Sequence, residues 1–375
     1  HLQLPANEGP NAQHTKYRVQ VTSLQKTKRI SWVSIMLWVL RVVVIALVIY
    51  GSAVTLASGK YAPSSWISLL IAGLAQGSIY ALIALGYSLV YGIMLMINFA
   101  HGEVYMAGAF VSFFVADALE QSGFLQAQPL VTIFILLLTA MATSTLVALI
   151  LERVAYRRLQ NAPRMISLIT AIGASFFLQY TFRGLFGSGF KAYPVFGTMW
   201  GRWTFGSVTV QVVQVVVAMA AILMMGGLYW FVEKTKTGKS MRAVSEDKEI
   251  ASLMGIDVNR VIVITFMLGG MLAGAAGVFR GLYQPQGIGY NMGFLPGLKA
   301  FSAAVLGGIG NIPGAMLGGI FLGLFESIGP NLILQGLGIV GANQLKDAIA
   351  IVMLVLVLIF RPQGILGEKL AEEKA

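Results

Sequence analysis

The chain has 375 residues, of which 57% are hydrophobic and only 11% are charged, and its mean hydropathy is +0.77. Because a soluble domain carries about 25% charged residues, this composition indicates a polytopic membrane protein. The chain contains no cysteine, which excludes disulfides, thiolate catalysis and cysteine-based metal sites. Its net charge of +11 is explained better by the orientation of loops in a membrane than by nucleic-acid binding, because no separate basic domain is present.

The N-terminal part is predicted to form a cytoplasmic, disordered tail, 1–30, and an extra transmembrane helix within 31–58. The apolar run near 33–57 contains Arg41, and a charge at the centre of a membrane helix costs roughly 2.5–3.5 kcal/mol on insertion scales. We expect the run to insert all the same, since its other residues are strongly apolar. A cleaved signal peptide is not expected, because about 30 mostly polar residues precede this run.

Further apolar runs approach the roughly 20 residues that a helix needs to cross a bilayer. They lie near 66–90, 94–118, 130–151, 165–187, 208–232, 261–282 and 343–360. A glycine-broken apolar stretch, 298–328, separates the last two runs and is predicted to form a re-entrant hairpin or two short helices. The predicted fold class is therefore an all-α polytopic membrane protein with about eight transmembrane helices plus this hairpin.

The loops predict the orientation. The loops at 152–164 and 233–260 are basic, whereas those near 119–129 and 283–297 contain neither Lys nor Arg. Cytoplasmic loops carry the excess of Lys and Arg in membrane proteins. Both termini, including a short tail at 368–375, are therefore predicted to be cytoplasmic.

Two polar or glycine-rich breaks interrupt the apolar runs. The first, 97–103, reads INFAHGE, and the second, 307–314, reads GGIGNIPG. Broken backbone at membrane depth persists only inside protein or beside a wet cavity, and transporters use such breaks to build substrate sites. The candidates for a substrate path are therefore Asn98, His101, Glu103, Gly307, Gly308 and Asn311. The alternative is that the polar side chains cap helix ends and hold the bundle together.

A polar segment of about 26 residues, 235–260, lies between two long apolar runs and has its own helical pattern. Loops between membrane helices are usually short, so this length favours a docking surface. Ile250, Leu253 and Met254 recur at helical spacing, so a short helix could bury one apolar face in a groove on a partner. The alternative is an amphipathic helix that rests on the membrane surface.

Two enzyme-like patterns fail on inspection, and a three-histidine metal site cannot be built. His101–Gly102–Glu103 matches the H-x-E of zinc deaminases, but their paired cysteines are missing, and His1 and His14 lie in the tail. The segment 237–240, TGKS, resembles the end of a phosphate-binding loop, but that motif requires glycine where Glu233 stands. We therefore predict no catalytic residue, no metal site and no ATP hydrolysis by this chain alone.

Several motifs together resemble the LivH-type permeases of the branched-chain amino acid ABC transporter family. The segment 77–92, GSIYALIALGYSLVYG, runs into the break at 97–103, and further similarity lies in 152–159, in 235–260, in 299–315 and in the closing RPQGILG at 361–367. The resemblance covers roughly 68–367 and places a permease domain at 66–367. The N-terminal part is about 60 residues longer than in that family.

The resemblance implies a role for the polar segment. Glu249, Ala251 and Gly255 match the E-x-A-x3-G pattern of the loop that couples importer permeases to their ATPases, and Leu253 and Met254 lie within it. The implied protein is a subunit of an ATP-driven importer for branched-chain or other neutral amino acids in a prokaryotic plasma (inner) membrane. Implied partners are a second, LivM-like permease, two cytoplasmic ATPases, an extracytoplasmic solute-binding protein and membrane lipid, without nucleic acid. No cofactor is expected on this chain, since ATP is used by the partner ATPases.

Two alternatives remain open from the sequence. The same ABC mechanism could import urea or short amides, or the chain could be a stand-alone secondary transporter, for which only His101, Glu103 and Glu326 could relay protons. No buried charge cluster for an ionic substrate is expected.

The loop 188–207, which is rich in aromatic residues, is predicted either to meet the binding protein or to form an interfacial aromatic belt.

Overall fold

The computed structural model describes residues 32–159, 162–197, 201–284, 286–361 and 363–367. The predicted tails at 1–30 and 368–375 lie outside these ranges. Nine of the described helices are long and apolar enough to cross a membrane. The predicted class, an all-α polytopic membrane protein, is therefore confirmed.

Twelve helices organise the described chain, and they are joined by short helical turns at Phe124–Ala127, Glu152–Tyr156, Arg157–Leu159, Pro330–Leu334 and Ala342–Leu345. In chain order the helices are α1 (Trp32–Ala57), α2 (Pro63–Met94), α3 (His101–Gln121), α4 (Pro129–Leu151), α5 (Arg164–Phe186), α6 (Val212–Lys234), α7 (Lys236–Glu246), α8 (Lys248–Leu253), α9 (Val258–Tyr283), α10 (Phe294–Gly307), α11 (Ile312–Gly329) and α12 (Lys346–Phe360).

The chain separates into two compact units, 1–49 and 50–375. In the first unit, the described part of α1 exposes mostly apolar side chains, as a helix facing lipid does. Its Arg41 guanidinium lies 5.5 Å from the centre of the Trp38 ring. In the second unit, the end of α1 packs closely, because a Cβ on Gly51 would lie 2.5 Å from the Ile333 carbonyl oxygen.

Small residues hold the centre of the larger unit together. A Cβ placed on Gly323 of α11 would lie 2.2 Å from the Gly77 Cα of α2, and one on Gly274 of α9 would lie 2.4 Å from the Ala140 carbonyl oxygen of α4. Glycine at these positions lets backbones approach more closely than any other residue allows. The result is a tight core in which α9, α2 and α3 are the most buried of the described spanning helices.

The break between α2 and α3 covers 95–100 and overlaps the predicted break at 97–103. The predicted run 94–118 begins too early, because Leu95 adopts a left-handed conformation with φ of 54° and α3 begins only at His101. The chain turns back into the bundle over 95–100. His101 lies against Gly86, about two helical turns before the end of α2.

The glycine-broken stretch 298–328 forms two antiparallel helices. Helix α10 has 14 residues and a length of about 21 Å, too short to cross a bilayer, whereas α11 continues through Leu334 as a spanning helix. Gly308 and Gly310 make the turn between them with φ of 108° and 92°. The structure shows a pair of helices, but only α10 is short. Because α11 is long enough to span, nine of the described helices rather than about eight have spanning length.

The two ends of the bundle differ. We call the end with α7 and α8 the basic end, and the opposite end, where α9 finishes, the far end. At the far end β1 (Lys191–Ala192) pairs with β4 (Gln286–Ile288), and β2 (Arg202–Phe205) pairs with β3 (Val208–Gln211), both antiparallel. The predicted run 208–232 therefore begins too early, because 208–211 belongs to β3 and the helix α6 starts at Val212.

Candidate functional site

The polar segment folds into α7 and α8 at the basic end. The Thr235 hydroxyl accepts a hydrogen bond from the Gly238 amide at 3.0 Å and so caps α7. Met241 and Val244 are buried, and a Cβ on Gly238 would lie 2.2 Å from the Val232 carbonyl oxygen. Helix α7 therefore packs on the end of α6 and is anchored to the protein.

Helix α8 is short but firmly terminated. The Asp247 carboxylate accepts from the amides of Glu249 at 2.8 Å and of Ile250 at 2.9 Å. At the other end the Ile256 amide donates to the Ala251 carbonyl at 3.1 Å, and Gly255, with φ of 83°, donates to Ser252 at 2.9 Å. This is the Schellman arrangement, which needs a left-handed residue at the glycine position. Asp247 and Gly255 thus fix both ends of α8.

The outer side of α8 is apolar and largely exposed. Leu253 is 87% exposed, Met254 79% and Ile250 60%, whereas Ala251 is only 3% exposed and faces the protein. Neighbouring Lys248 is partly buried, which lowers the pKa of its ammonium group. Three large exposed apolar side chains on a short helix with polar flanks are typical of a surface that meets a partner.

Glu103 belongs to a buried polar network. Its Oε1 accepts a hydrogen bond from the Gln179 amide nitrogen at 2.7 Å and from the Ser175 hydroxyl at 3.3 Å. These two residues lie on α5, so the carboxylate joins α3 to α5. Its Oε2 is buried and has no hydrogen-bond partner among the described residues.

Asn98 and His101 lie at the same break and contact other elements. The Asn98 Oδ1 accepts from the Tyr156 hydroxyl at 2.6 Å. His101 fills a gap between helices, because a Cβ on Gly86 would lie 2.1 Å from its Nε2 and one on Gly269 would lie 3.6 Å from its Cε1. Its ring also meets the Tyr87 ring edge-on at 4.9 Å. The contacts are those of side chains that hold the bundle together, and a role for these residues in a substrate path stays a prediction.

Gly307, Gly308 and Asn311 lie closer to the basic end than Gly102 does. Gly297, near the start of α10, packs against Gly102, and Gly307 lies about 15 Å further along the helix at 1.5 Å per residue. The turn is at the basic end, since Gly310 contacts Gly92 near the end of α2. The second predicted group is therefore displaced along α10 from Gly102, and a shared substrate path for the two groups stays a prediction.

The closing motif covers that turn. The Ile365 amide donates to the Leu306 carbonyl at 2.8 Å, and the Leu366 amide donates to the Gly307 carbonyl at 2.9 Å. The Asn311 amide nitrogen donates to the Leu366 carbonyl at 3.1 Å, and its Oδ1 caps α11 through the Gly314 amide at 2.8 Å. The residues 363–367 thus bind the carbonyl end of α10.

The expectation that the chain has no buried charge cluster is wrong. The Lys299 ammonium donates to the Glu326 carboxylate at 2.8 Å, to the Asp347 carboxylate at 2.6 Å and to the Tyr80 hydroxyl at 3.2 Å. These residues come from α10, α11, α12 and α2, so no local sequence motif predicts that they lie together. In the sequence, only the presence of Lys299 and Glu326 within apolar runs could have indicated this cluster.

The loop 188–207 is partly built into the protein. Tyr193 and Phe196 are buried, and the Tyr193 hydroxyl donates to the Ser112 hydroxyl at 3.0 Å. Burial raises the pKa of Tyr193. These two side chains are therefore unavailable to a partner or to lipid, whereas Trp203 remains exposed and Trp200 lies outside the described residues.

The spanning helices, the interrupted pair α10–α11 and the capped surface helix define a multi-pass membrane permease. The family model described as branched-chain amino acid transport system / permease component matches residues 69–358. The chain therefore belongs to this permease family, as its motifs predict.

Two curated relatives agree over nearly their whole length. The high-affinity branched-chain amino acid transport system permease protein BraD of Pseudomonas aeruginosa is 42% identical over 82% of this chain and 98% of the relative. The protein LivH of Escherichia coli K12, which has the same description, is 41% identical over 80% of this chain and 95% of the relative. A solved structure, PsaBC from Streptococcus pneumoniae in complex with Fab, covers 81% of this chain and 94% of that chain at 14% identity with a TM-score of 0.40, a likeness too distant to define the fold.

Proposed function

We propose that this chain is the permease subunit of an ATP-driven importer for branched-chain or other neutral amino acids. Its relatives BraD and LivH are named as permeases of branched-chain amino acid transport systems, which supports this substrate class. The single observation that carries the proposal is the exposed apolar face of α8, formed by Ile250, Leu253 and Met254. A permease driven by separate ATPases needs such a surface at its cytoplasmic end.

The proposed orientation places the basic end in the cytoplasm of a prokaryotic cell. This end carries the cations of α7 and α8 as well as Arg361, which follows α12. An excess of Lys and Arg on one side of the membrane favours the cytoplasm for that side. Both termini are then cytoplasmic, and the far end faces the solute-binding protein.

The coupling mechanism follows from how α8 is held. An amphipathic helix that inserts its apolar side into a groove transmits motion only if its backbone is rigid. The carboxylate of Asp247 and the left-handed Gly255 fix its two ends, and Ala251 packs it on the permease. A movement of the ATPase groove is thereby passed through α7 to α6 and α9, two helices that cross the membrane.

The proposed assembly contains a second permease, two cytoplasmic ATPases and an extracytoplasmic binding protein. In it this chain has no catalytic residue and binds no cofactor, and ATP is used by the ATPases. The charged residues beside the apolar face, Glu249 above all, set the register of docking.

The test is co-purification of the full chain with its co-expressed partner permease, ATPases and binding protein. We expect a stable complex whose ATPase activity rises with loaded binding protein and which imports leucine into vesicles. Leu253→Asp should release the ATPases, because it places a charge in the groove. Val340→Asp is the matched control, since Val340 is 98% exposed in the loop at the far end.

Two results would contradict the proposal. The first is a Leu253→Asp complex with normal ATPase binding and normal uptake. The second is uptake by the purified chain alone in liposomes without ATPases, which would indicate a secondary transporter.

A further inference from the structure

A cavity of about 620 Å³ opens in the far half of the larger unit, between α2, α9, α10, α11 and α12. The charge cluster around Lys299 forms part of its wall, together with Arg280 and Gln76. None of the residues predicted for a substrate path lines it. The volume is within the range of small-molecule sites, roughly 300–1,000 Å³.

The cavity contains hydrogen-bond acceptors that have no donor among the described residues, and a cation that forms no salt bridge with them. Glu326 is buried, and while its Oε1 accepts from Lys299, its Oε2 has no hydrogen-bond partner among the described residues. The same holds for the Oε1 of Gln76. No carboxylate in the described chain forms a salt bridge with the half-buried Arg280, although its charge acts on Asp347 at longer range, and Lys346 is a further cation of the lining.

These unpaired acceptors and the guanidinium of Arg280 indicate which ligand the cavity can bind. A buried acceptor without a donor and a guanidinium without an anion both cost free energy unless water or a ligand pairs with them. Arginine binds carboxylates with two parallel hydrogen bonds. A carboxylate oxygen in turn binds an ammonium group well.

We propose that this cavity is a binding site for a free zwitterionic amino acid, with the α-carboxylate on Arg280 and the α-ammonium on Glu326. The site deepens the proposed function and rests on it for the class of solute. Asp347 neutralises Lys299 from the other side at 2.6 Å, so Glu326 can accept the ligand's ammonium without leaving Lys299 unpaired.

Part of the wall can contact an aliphatic side chain. The apolar residues of the lining are Leu69, Ala72, Phe190, Met292, Leu295 and Pro296. Most of the remaining lining is polar or charged, so these residues form one apolar part of an otherwise polar wall. A branched aliphatic side chain therefore fits beside the charged pair.

The position matches the proposed direction of transport. Arg280 lies in the last turn of α9, and Asp347 lies in the first turn of α12, both at the far end. With the basic end in the cytoplasm, this end receives the solute from the binding protein. The cavity is then an early site on the path, and α10 leads from it towards the basic end.

The test measures binding to the full chain in lipid nanodiscs by isothermal titration with leucine and two analogues. The analogue 4-methylpentanoate lacks the ammonium group, and 3-methylbutylamine lacks the carboxylate. We expect leucine to bind at least about tenfold more tightly than either analogue, a difference of about 1.4 kcal/mol.

The variants assign each charge to its partner. Arg280→Gln should abolish the preference for leucine over 3-methylbutylamine and keep the preference over 4-methylpentanoate. Glu326→Gln should do the reverse. Arg183→Gln is the matched control, because Arg183 also lies in the last turn of a spanning helix, contacts the rings of Tyr180 and Tyr290, and does not line the cavity.

The outcomes separate the two proposals. No saturable leucine binding below about 10 mM, or variants that leave both preferences unchanged, would overturn the cavity assignment even if the assembled complex imports leucine. Binding with the expected preferences, in a complex that fails to import leucine with ATP, would support the site and overturn the proposed function.

Discussion

Replacing Gly323 with alanine tests the packing of α2 against α11. The added Cβ would lie 2.2 Å from the Cα and N atoms of Gly77 and 2.6 Å from the Gly73 carbonyl oxygen. All three are backbone atoms and cannot rotate away. Because carbon atoms make their best contacts at about 3.5–4.0 Å, the two helices must separate by more than about 1 Å at this point.

A loss of stability can be attributed to the crowded contact, because the effect of the substitution on helix propensity alone is stabilising. Glycine to alanine inside a helix is favourable by about 1 kcal/mol, whereas overpacking a tight contact costs about 1–3 kcal/mol or more. We expect Gly323→Ala to lower the free energy of unfolding by about 2 kcal/mol. Gly226→Ala on α6 is the control, since its Cβ would meet no atom within 4 Å.

Unfolding by SDS titration in mixed micelles measures both variants against the unmodified chain. The control should be as stable as that chain or more stable, and Gly323→Ala should be less stable than the control by about 2–3 kcal/mol. A Gly323→Ala variant at least as stable as Gly226→Ala would refute the close approach of α2 and α11.

Two further expectations concern the breaks and the surface helix. Tyr156→Phe should lower the free energy of unfolding by about 1–3 kcal/mol in the same titration, because the buried Asn98 loses its donor; an unchanged value would contradict that bond. Gly255→Val should weaken ATPase binding about tenfold, whereas Gly255→Asn should weaken it much less, because asparagine tolerates the left-handed conformation that costs other residues about 1–2 kcal/mol. Equal affinities of the two variants in a pull-down titration would show that φ at this position does not matter.

Much of the fold could be predicted because lipid imposes a length and a composition on each helix. The observed helices are shorter than the predicted apolar runs mainly where apolar residues lie outside the helix. Residues 208–211 are apolar enough to extend the run of α6, yet they pair with Arg202–Phe205 as a strand. Hydropathy alone cannot distinguish an apolar strand at the membrane end from one more turn of helix.

The surface helix was also predictable in part, since glycine at 255 and helical spacing of Ile250 and Leu253 are local signals. The cavity was not. Lys299 is 27 residues from Glu326 and 48 from Asp347 along the chain, and Glu103 is 76 from Gln179. Only the packing of separate helices brings these partners together, so the sequence showed polar residues at membrane depth without showing which of them pair.

The contact between 363–367 and the turn after α10 has a consequence for biosynthesis. Leu366 binds the side chain of Asn311, which is 55 residues earlier in the chain, and the neighbouring amide of Ile365 satisfies a carbonyl of α10. As the chain leaves the ribosome, the end of this helix therefore stays incomplete until α12 has been inserted. A nascent chain arrested before Ile365 would hold all its spanning helices yet expose open carbonyls at the membrane surface, a feature by which quality-control proteases could recognise an unfinished permease.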